Sequence, residues 1–288
     1  MKKHLKYLHR DVSWMYFNHR ILQEALKDNV PLLERLSFLG IYSNNDEFFR
    51  VRVASISRIA ECEDKAAHDE QEQAHTLLRK INQLNNRYAK EYGQAVATVT
   101  EQLRREHICL VDDTQIDDEQ RRFVHDFFRR ELAGHLAPIW LENISRFDGE
   151  ADDCIYLAVK MSREGVKRNY HALLALPVSR VGRFVRLPDR DGCSYLMYLD
   201  DVVRSCLPLL FPGLHFDHYE AYSFKFTRDA EMEIDNDLRN GLLQKISKGV
   251  KSRRTGLPLR LVYDGAMPAG LLRRVMNKLD TDRLDTAL

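Results

Sequence analysis

The densest chemistry in the chain lies in four consecutive residues, Asn44, Asn45, Asp46 and Glu47, within Ile41-Tyr-Ser-Asn-Asn-Asp-Glu-Phe-Phe-Arg-Val51. Adjacent carboxylates such as Asp46 and Glu47 have the composition of a general acid–base pair. Acids at a helix start also complement the positive end of the helix dipole, and that reading, which needs no substrate, is preferred here. The two amides fall at a break between two apolar helical stretches. Asn at such a boundary satisfies orphan backbone groups and serves as a cap.

A second cluster is basic: Lys245, Lys248, Lys251, Arg253 and Arg254, with Arg260 beyond and Lys225 and Arg228 on a separate segment. Such a set suits the end of a solvated helix. It equally suits a phosphate polymer, for which Arg and Lys are the natural donors. No aromatics interleave with it, so stacking on nucleic-acid bases is not expected. Phosphate-loop, dinucleotide-binding and zinc-helix motifs are absent, as are the nucleophile elbow and the protein-kinase set. Eleven His are present, none in metal spacing, and each reads as a surface or capping residue. No catalytic residue and no metal ligand can be assigned from these patterns.

The bulk properties bound the class. The 288 residues allow two domains, and the 44% hydrophobic and 30% charged content is that of a soluble globular protein. A net charge of +1 means that anion binding must come from local clusters. No apolar run reaches the ~18–20 residues of a spanning helix, and the basic start is interrupted too early for a signal peptide. Five widely spaced Cys without a Cys-x-x-Cys pair point to reduced thiols in the cytoplasm, and against zinc or a disulfide framework.

Two kinds of element must position these residues. Residues 1–106 are expected to be helical throughout. Phe17, Ile21, Leu22, Ala25 and Leu26 mark one helical face, and after Pro31 the residues Leu32, Leu33, Leu36 and Leu39 mark a second. Phe48–Ile59 gives a third periodic stretch. The clearest stripe runs Ala74, Leu77, Ile81, Leu84, Tyr88, Tyr92, Ala95, Val99, Leu103, with a mean step of about 3.6 residues. From 107 to 288 the pattern changes to short strands at Cys154–Met161, Tyr170–Leu176, Phe184–Leu187, Ser194–Leu199, Tyr222–Phe226 and Leu259–Tyr263. Helices are expected at Glu119–Leu132, Asp201–Phe211, Ala230–Lys248 and Ala269–Leu279. The fold class is therefore multidomain, a helical amino-terminal bundle followed by an α+β domain, with the boundary near Arg105–Val111.

Three segments carry a specific likeness: Asp11-Val-Ser-Trp-Met-Tyr-Phe-Asn-His-Arg20, Pro31-Leu-Leu-Glu-Arg-Leu-Ser-Phe-Leu-Gly40 and the Ile41–Val51 stretch. Together they resemble the amino-terminal end of the bacterial polyphosphate kinases. Weaker likeness to that family's second, or head, domain appears around Ser223–Glu231 and at Pro258-Leu-Arg-Leu-Val-Tyr263. The resemblance implies reversible transfer of the terminal phosphate of ATP to polyphosphate, with magnesium and through a phosphohistidine. In the family, the Asn before the Leu-Asp-Glu-Phe stretch contacts adenine, and an amide suits that edge because it donates and accepts at once.

The resemblance thus gives Asn45 a nucleotide-contacting role. This sequence lacks the Leu that the family places before the Asp. Either a gap follows Asn45, which is preferred, or Asn44 takes the adenine position and Asn45 fills the Leu site. A true gap inside a helix would rotate the residues beyond it by about 100°.

The family has four domains, and its nucleophilic His lies in the two phospholipase-D-like domains that follow the head domain. The resemblance therefore implies that this chain holds the first two domains and is inactive alone. It implies a homo-oligomer formed through the head domain, in the cytoplasm, with membrane association open to it as a complex. A non-catalytic dimerisation or scaffold module is the alternative.

Overall fold

The computed structural model describes residues 7–45, 48–62, 68–149, 154–228, 258–280 and 286–287. The chain divides into two compact units, one of residues up to Gln102 and one beginning at Leu103. The expected helix at Ala230–Lys248 lies outside the described residues.

The first unit is helical: α1 (Arg10–Ala25), α2 (Leu32–Ser43), a π-helical turn (Phe48–Val53) running into α3 (Ala54–Ala60), and α4 (His68–Arg105). The α4 stripe is as the spacing requires, with Ala74, Ile81, Leu84, Tyr88, Ala95 and Val99 all buried. At 38 residues, α4 is about 57 Å long.

The faces of α1 and α2 differ from expectation. On α1 the buried line is Asp11, Met15, Asn18, Leu22 and Ala25, while Phe17 is 62% exposed. On α2 the buried residues are Arg35, Leu39 and Tyr42, while Leu33 and Leu36 are exposed. Both helices carry apolar residues on more than one side, so periodicity alone does not select the inward face. Polar side chains decided it. Arg35 buries its guanidinium because it donates to the Ala25 carbonyl at 2.7 Å and to Gln102 Oε1 at 2.8 Å.

The second unit holds two sheets. In the smaller, β6 (Cys193–Tyr198) lies between β1 (Ile108–Val111), parallel to it, and β5 (Phe184–Arg190), antiparallel to it. The larger has the order β2-β4-β3-β7-β8-β9, from Ile139–Trp140, Tyr170–Ala175, Tyr156–Ser162, His218–Arg228, Pro258–Tyr263 and Thr286–Ala287 respectively. Its pairings are antiparallel except β8–β9.

The helices are α5 (Asp118–Phe127, continued by a π-helical turn to Leu132), α6 (Val178–Val181), α7 (Leu199–Ser205), α8 (Leu207–Leu210) and α9 (Ala269–Leu279). Leu157, Val159 and Met161 of β3 point into one core together with Val124, Phe128 and Val202. Tyr156 and Ala158, on the other face, join Phe224, Phe226 and the α9 residues Leu271 and Val275 in a second core.

The helix expected over Asp201–Phe211 is two. Pro208 has no N–H to continue the hydrogen-bond ladder of α7. The helix therefore ends at Ser205, with the Cys206 N–H turning back to the Val203 carbonyl.

Candidate functional site

The Asn pair sits at a sharp reversal between α2 and the π-helical turn. Asn44 has φ −81° and ψ 65°, and the Asn45 N–H donates to the Ser43 carbonyl at 2.9 Å. This is an inverse γ-turn. The Asn45 carbonyl in turn accepts from the Phe49 N–H at 3.4 Å and so opens the next helical stretch. Asn44 is exposed and Asn45 half-buried. Asp46 and Glu47 lie outside the described residues.

α2 ends at Ser43, so a gap placed after Asn45 would lie beyond that helix rather than inside it.

Three side chains of α1 hold this reversal from both sides. Asp11, Trp14 and Asn18 stand at i, i+3 and i+7, one face of a helix. The Asp11 carboxylate, 3% exposed, accepts from Arg52 Nε and Nη2, both at 3.0 Å. Trp14 stacks on Phe48 with ring centroids 4.0 Å apart and planes 7° from parallel. Asn18 Nδ2 donates to the Tyr42 carbonyl at 3.3 Å. One contact precedes the Asn pair and two follow it, so α1 grips the chain on both sides of the turn. His9 starts the arrangement by capping α1, its Nδ1 accepting from the Asp11 N–H.

Two histidines differ from the surface-or-cap expectation. His19 is stacked on Tyr88 at 3.9 Å and bonded to Glu91 at 2.5 Å. Burial pushes the Glu91 carboxyl up, but hydrogen bonds from His19 and Arg87 outweigh it and hold its pKa below the usual carboxylate range. His171, 5% exposed, meets Glu142 at 2.9 Å. His19 is half-buried and His171 buried, and in each a carboxylate satisfies a ring nitrogen.

The basic residues are only partly visible. Lys225 is half-buried on β7, opposite Val262. Arg228 ends that strand at an irregularity opposite Pro258. Lys245, Lys248, Lys251, Arg253 and Arg254 lie outside the described residues. Arg260 is buried at 8% exposure, which removes it from any solvated helix end.

The second unit contains a charge network that the sequence patterns did not announce. Arg183 donates to both Asp200 oxygens at 2.7 and 3.2 Å. Arg204 donates to Asp201, to Ser223 Oγ and to the Ala221 carbonyl, and Ser223 donates to Asp200. Burial pushes Asp201 up to about 6; Arg204 opposes the shift, and Asp200 and Asp113 reinforce it. The Asp200, Asp201, Arg204 spacing was the available signal, since residues three and four apart meet on a helix. Among the described residues, no group of three or more His, Cys, Asp or Glu is arranged to hold a metal ion. No described helix is long and apolar enough to cross a membrane.

Two family models match the chain. The polyphosphate kinase N-terminal domain covers residues 7–111, and the polyphosphate kinase middle domain covers residues 119–287. The chain belongs to the polyphosphate kinase family. It is 35% identical to the polyphosphate kinase of Vibrio cholerae over 98% of its length, and 34% identical to that of Escherichia coli over 97%. It spans 40% and 41% of the length of those two relatives. The crystal structure of polyphosphate kinase from Porphyromonas gingivalis superposes with a TM-score of 0.75 at 28% identity, covering 97% of this chain and 38% of that one. The α1 face and the Asn turn lie within the residues that the polyphosphate kinase N-terminal domain model matches.

Proposed function

We propose that this chain is the nucleotide-contacting and assembly portion of an enzyme that transfers the terminal phosphate of ATP to polyphosphate. The carrying observation is the Asn44–Asn45 reversal, gripped on both flanks by Asp11, Trp14 and Asn18. An amide held this way presents a donor and an acceptor at fixed positions, which is what the edge of adenine requires. Asn45 makes that contact and Asn44 flanks it. Lys225 and Arg228, with the Lys248, Lys251, Arg253 and Arg254 cluster, supply a surface for the phosphate polymer.

In this reading residues 1–106 form the nucleotide-facing domain, and residues 107–288 form the head domain through which copies assemble in the cytoplasm. The phosphohistidine belongs to the part of the relatives' length that these residues do not match. Magnesium enters with ATP and, in this reading, is held by the part of the relatives' length that these residues do not match.

Isothermal titration with a non-hydrolysable ATP analogue tests the adenine edge. Loss of a buried amide contact worth ~1–1.5 kcal/mol weakens binding about tenfold in Asn45→Ala. Absence of binding in both the native chain and the variant would favour the scaffold alternative. Acid-labile phosphate on this chain, after incubation with ATP and magnesium, would overturn the placement of the phosphohistidine elsewhere.

A further inference from the structure

A cluster of nucleophilic side chains lies in the second unit, unrelated to the Asn turn. In the parallel pair β1–β6, Ile108 faces Ser194 and Cys109 faces Tyr195. Side chains alternate along a strand, so Cys193 and Tyr195 share the face that Cys109 occupies on β1. Cys193 Sγ lies 3.5 Å from His107 Nδ1, the residue that enters β1 with a left-handed backbone (φ 61°). Cys109 is buried, whereas Cys193 is half-buried and reachable from solvent. Burial pushes the Cys109 thiol pKa up, and the neighbouring Cys193 thiol adds to the rise by charge and by hydrogen bonding. Two thiols and an imidazole therefore share one patch of sheet, one thiol accessible and one behind it.

We propose that Cys193 and Cys109 form a redox-reversible dithiol, with His107 as proton acceptor for Cys193 and a hydroperoxide as oxidant. Cys193 gives its proton to His107, and its sulfur attacks one peroxide oxygen. An S–O bond forms, the O–O bond breaks, and the departing hydroxide takes up the proton as water. Cys109 then attacks the sulfenic sulfur. The S–S bond forms, the S–O bond breaks, and the second water leaves with the Cys109 proton. Two thiols lose two electrons in all, and one hydrogen peroxide becomes two waters.

In a parallel pair, strands ~4.8 Å apart with a rise of ~3.3 Å per residue put residues offset by two about 8 Å apart between Cα atoms, beyond the ~4.4–6.8 Å of a relaxed disulfide. Closure must draw the start of β6 toward β1. Cys193 stands where that is feasible, at the strand end, directly after the left-handed Asp191–Gly192 turn. A bond closed under strain is readily reopened by thiols. The other cysteines serve as internal controls: Cys206 is buried with its thiol pushed up to about 12, and Cys62 is exposed.

The test treats the 288-residue chain with a small excess of hydrogen peroxide, followed by alkylation, digestion and mass spectrometry. The expected product is a linked Cys109–Cys193 peptide pair, lighter by about 2 Da than the two free peptides and restored by dithiothreitol. In Cys109→Ser, Cys193 is trapped as a sulfenic acid that dimedone labels. His107→Asn, which tolerates the left-handed backbone, slows Cys193 oxidation several-fold and leaves the Cys62 rate unchanged. Circular dichroism establishes that each variant is folded. Oxidation at Cys62 with Cys193 still free, or a disulfide joining any other pair, would overturn the proposal.

Discussion

The two units dispose of their apolar residues differently. The second closes on itself: both faces of β3 are covered, and Leu157, Val159 and Met161 are fully buried on one side as Tyr156 and Ala158 are on the other. The first buries Asp11, Asn18, Arg35 and Asn85 and leaves apolar side chains outside. Of the twelve exposed large apolar residues described, nine precede residue 60, leaving Val166, Phe184 and Leu214 to the rest of the chain. Inward polar residues contribute less to stability than apolar ones of the same volume, but they fix a geometry. The first unit uses Asp11 and Asn18 to hold a turn, whereas the second sets its buried Asp200 and Asp201 in a body whose central strand is covered on both faces.

The largest effect is expected from cohesion. Phe128→Ala, in the core under β3, should lower unfolding free energy by about 3–5 kcal/mol in urea while leaving nucleotide-analogue affinity intact. A parallel loss of affinity would erase the contrast between the units.

Next is Asp201. Its pKa is raised to about 6 in the folded chain, from an ordinary 3.8, so folding binds its proton more tightly. Stability tied to the protonated form is fully present below pH ~4 and is lost as pH climbs to about 6, by about 3 kcal/mol at most. Asp201→Asn should flatten that segment of the profile in thermal melts between pH 4 and 7.

Asp11→Asn should cost ~2–3 kcal/mol, since Arg52 then loses a charged partner. Unlike Phe128→Ala, it should also weaken the nucleotide analogue, because the reversal loses a flank. The smallest stability effect belongs to Asn45→Ala, within ~0.5 kcal/mol in urea. That variant sharpens the comparison most, because affinity should fall while stability stays.

How much of this was legible in the sequence depended on how many interactions choose a face. The α4 stripe was plain because one long apolar row has a single way to be buried. Ala269–Leu279 is a helix over the span that its periodicity marks, between Pro268 and a left-handed Asp280 that closes it. The cores of β3 and β7 followed from alternation.

The inward faces of α1 and α2 were hidden because Phe17, Leu33 and Leu36 read as core by type, whereas Asp11 and Arg35 are buried by specific partners far along the chain. Phe48–Ile59 read as one helix. Its first half is π-helical, a change in winding that apolar spacing does not resolve at this length. β1, β2 and β9 have four, two and two residues, too short for a pattern to declare itself. For the candidate site, the letters Asp11, Trp14 and Asn18 were recognisable, but their joint hold on Tyr42, Phe48 and Arg52 needed the third dimension.

Because α1 grips the chain on both flanks of the inverse γ-turn at Asn44, a change of length between Tyr42 and Phe48 is expected to leave the α1 frame in place. Restoring a Leu after Asn45 should therefore change how far the amides reach and leave the fold as it is. In the proposed nucleotide reading, the length of this short connection is then a means of adjusting the adenine edge, separate from the residues that build the domain.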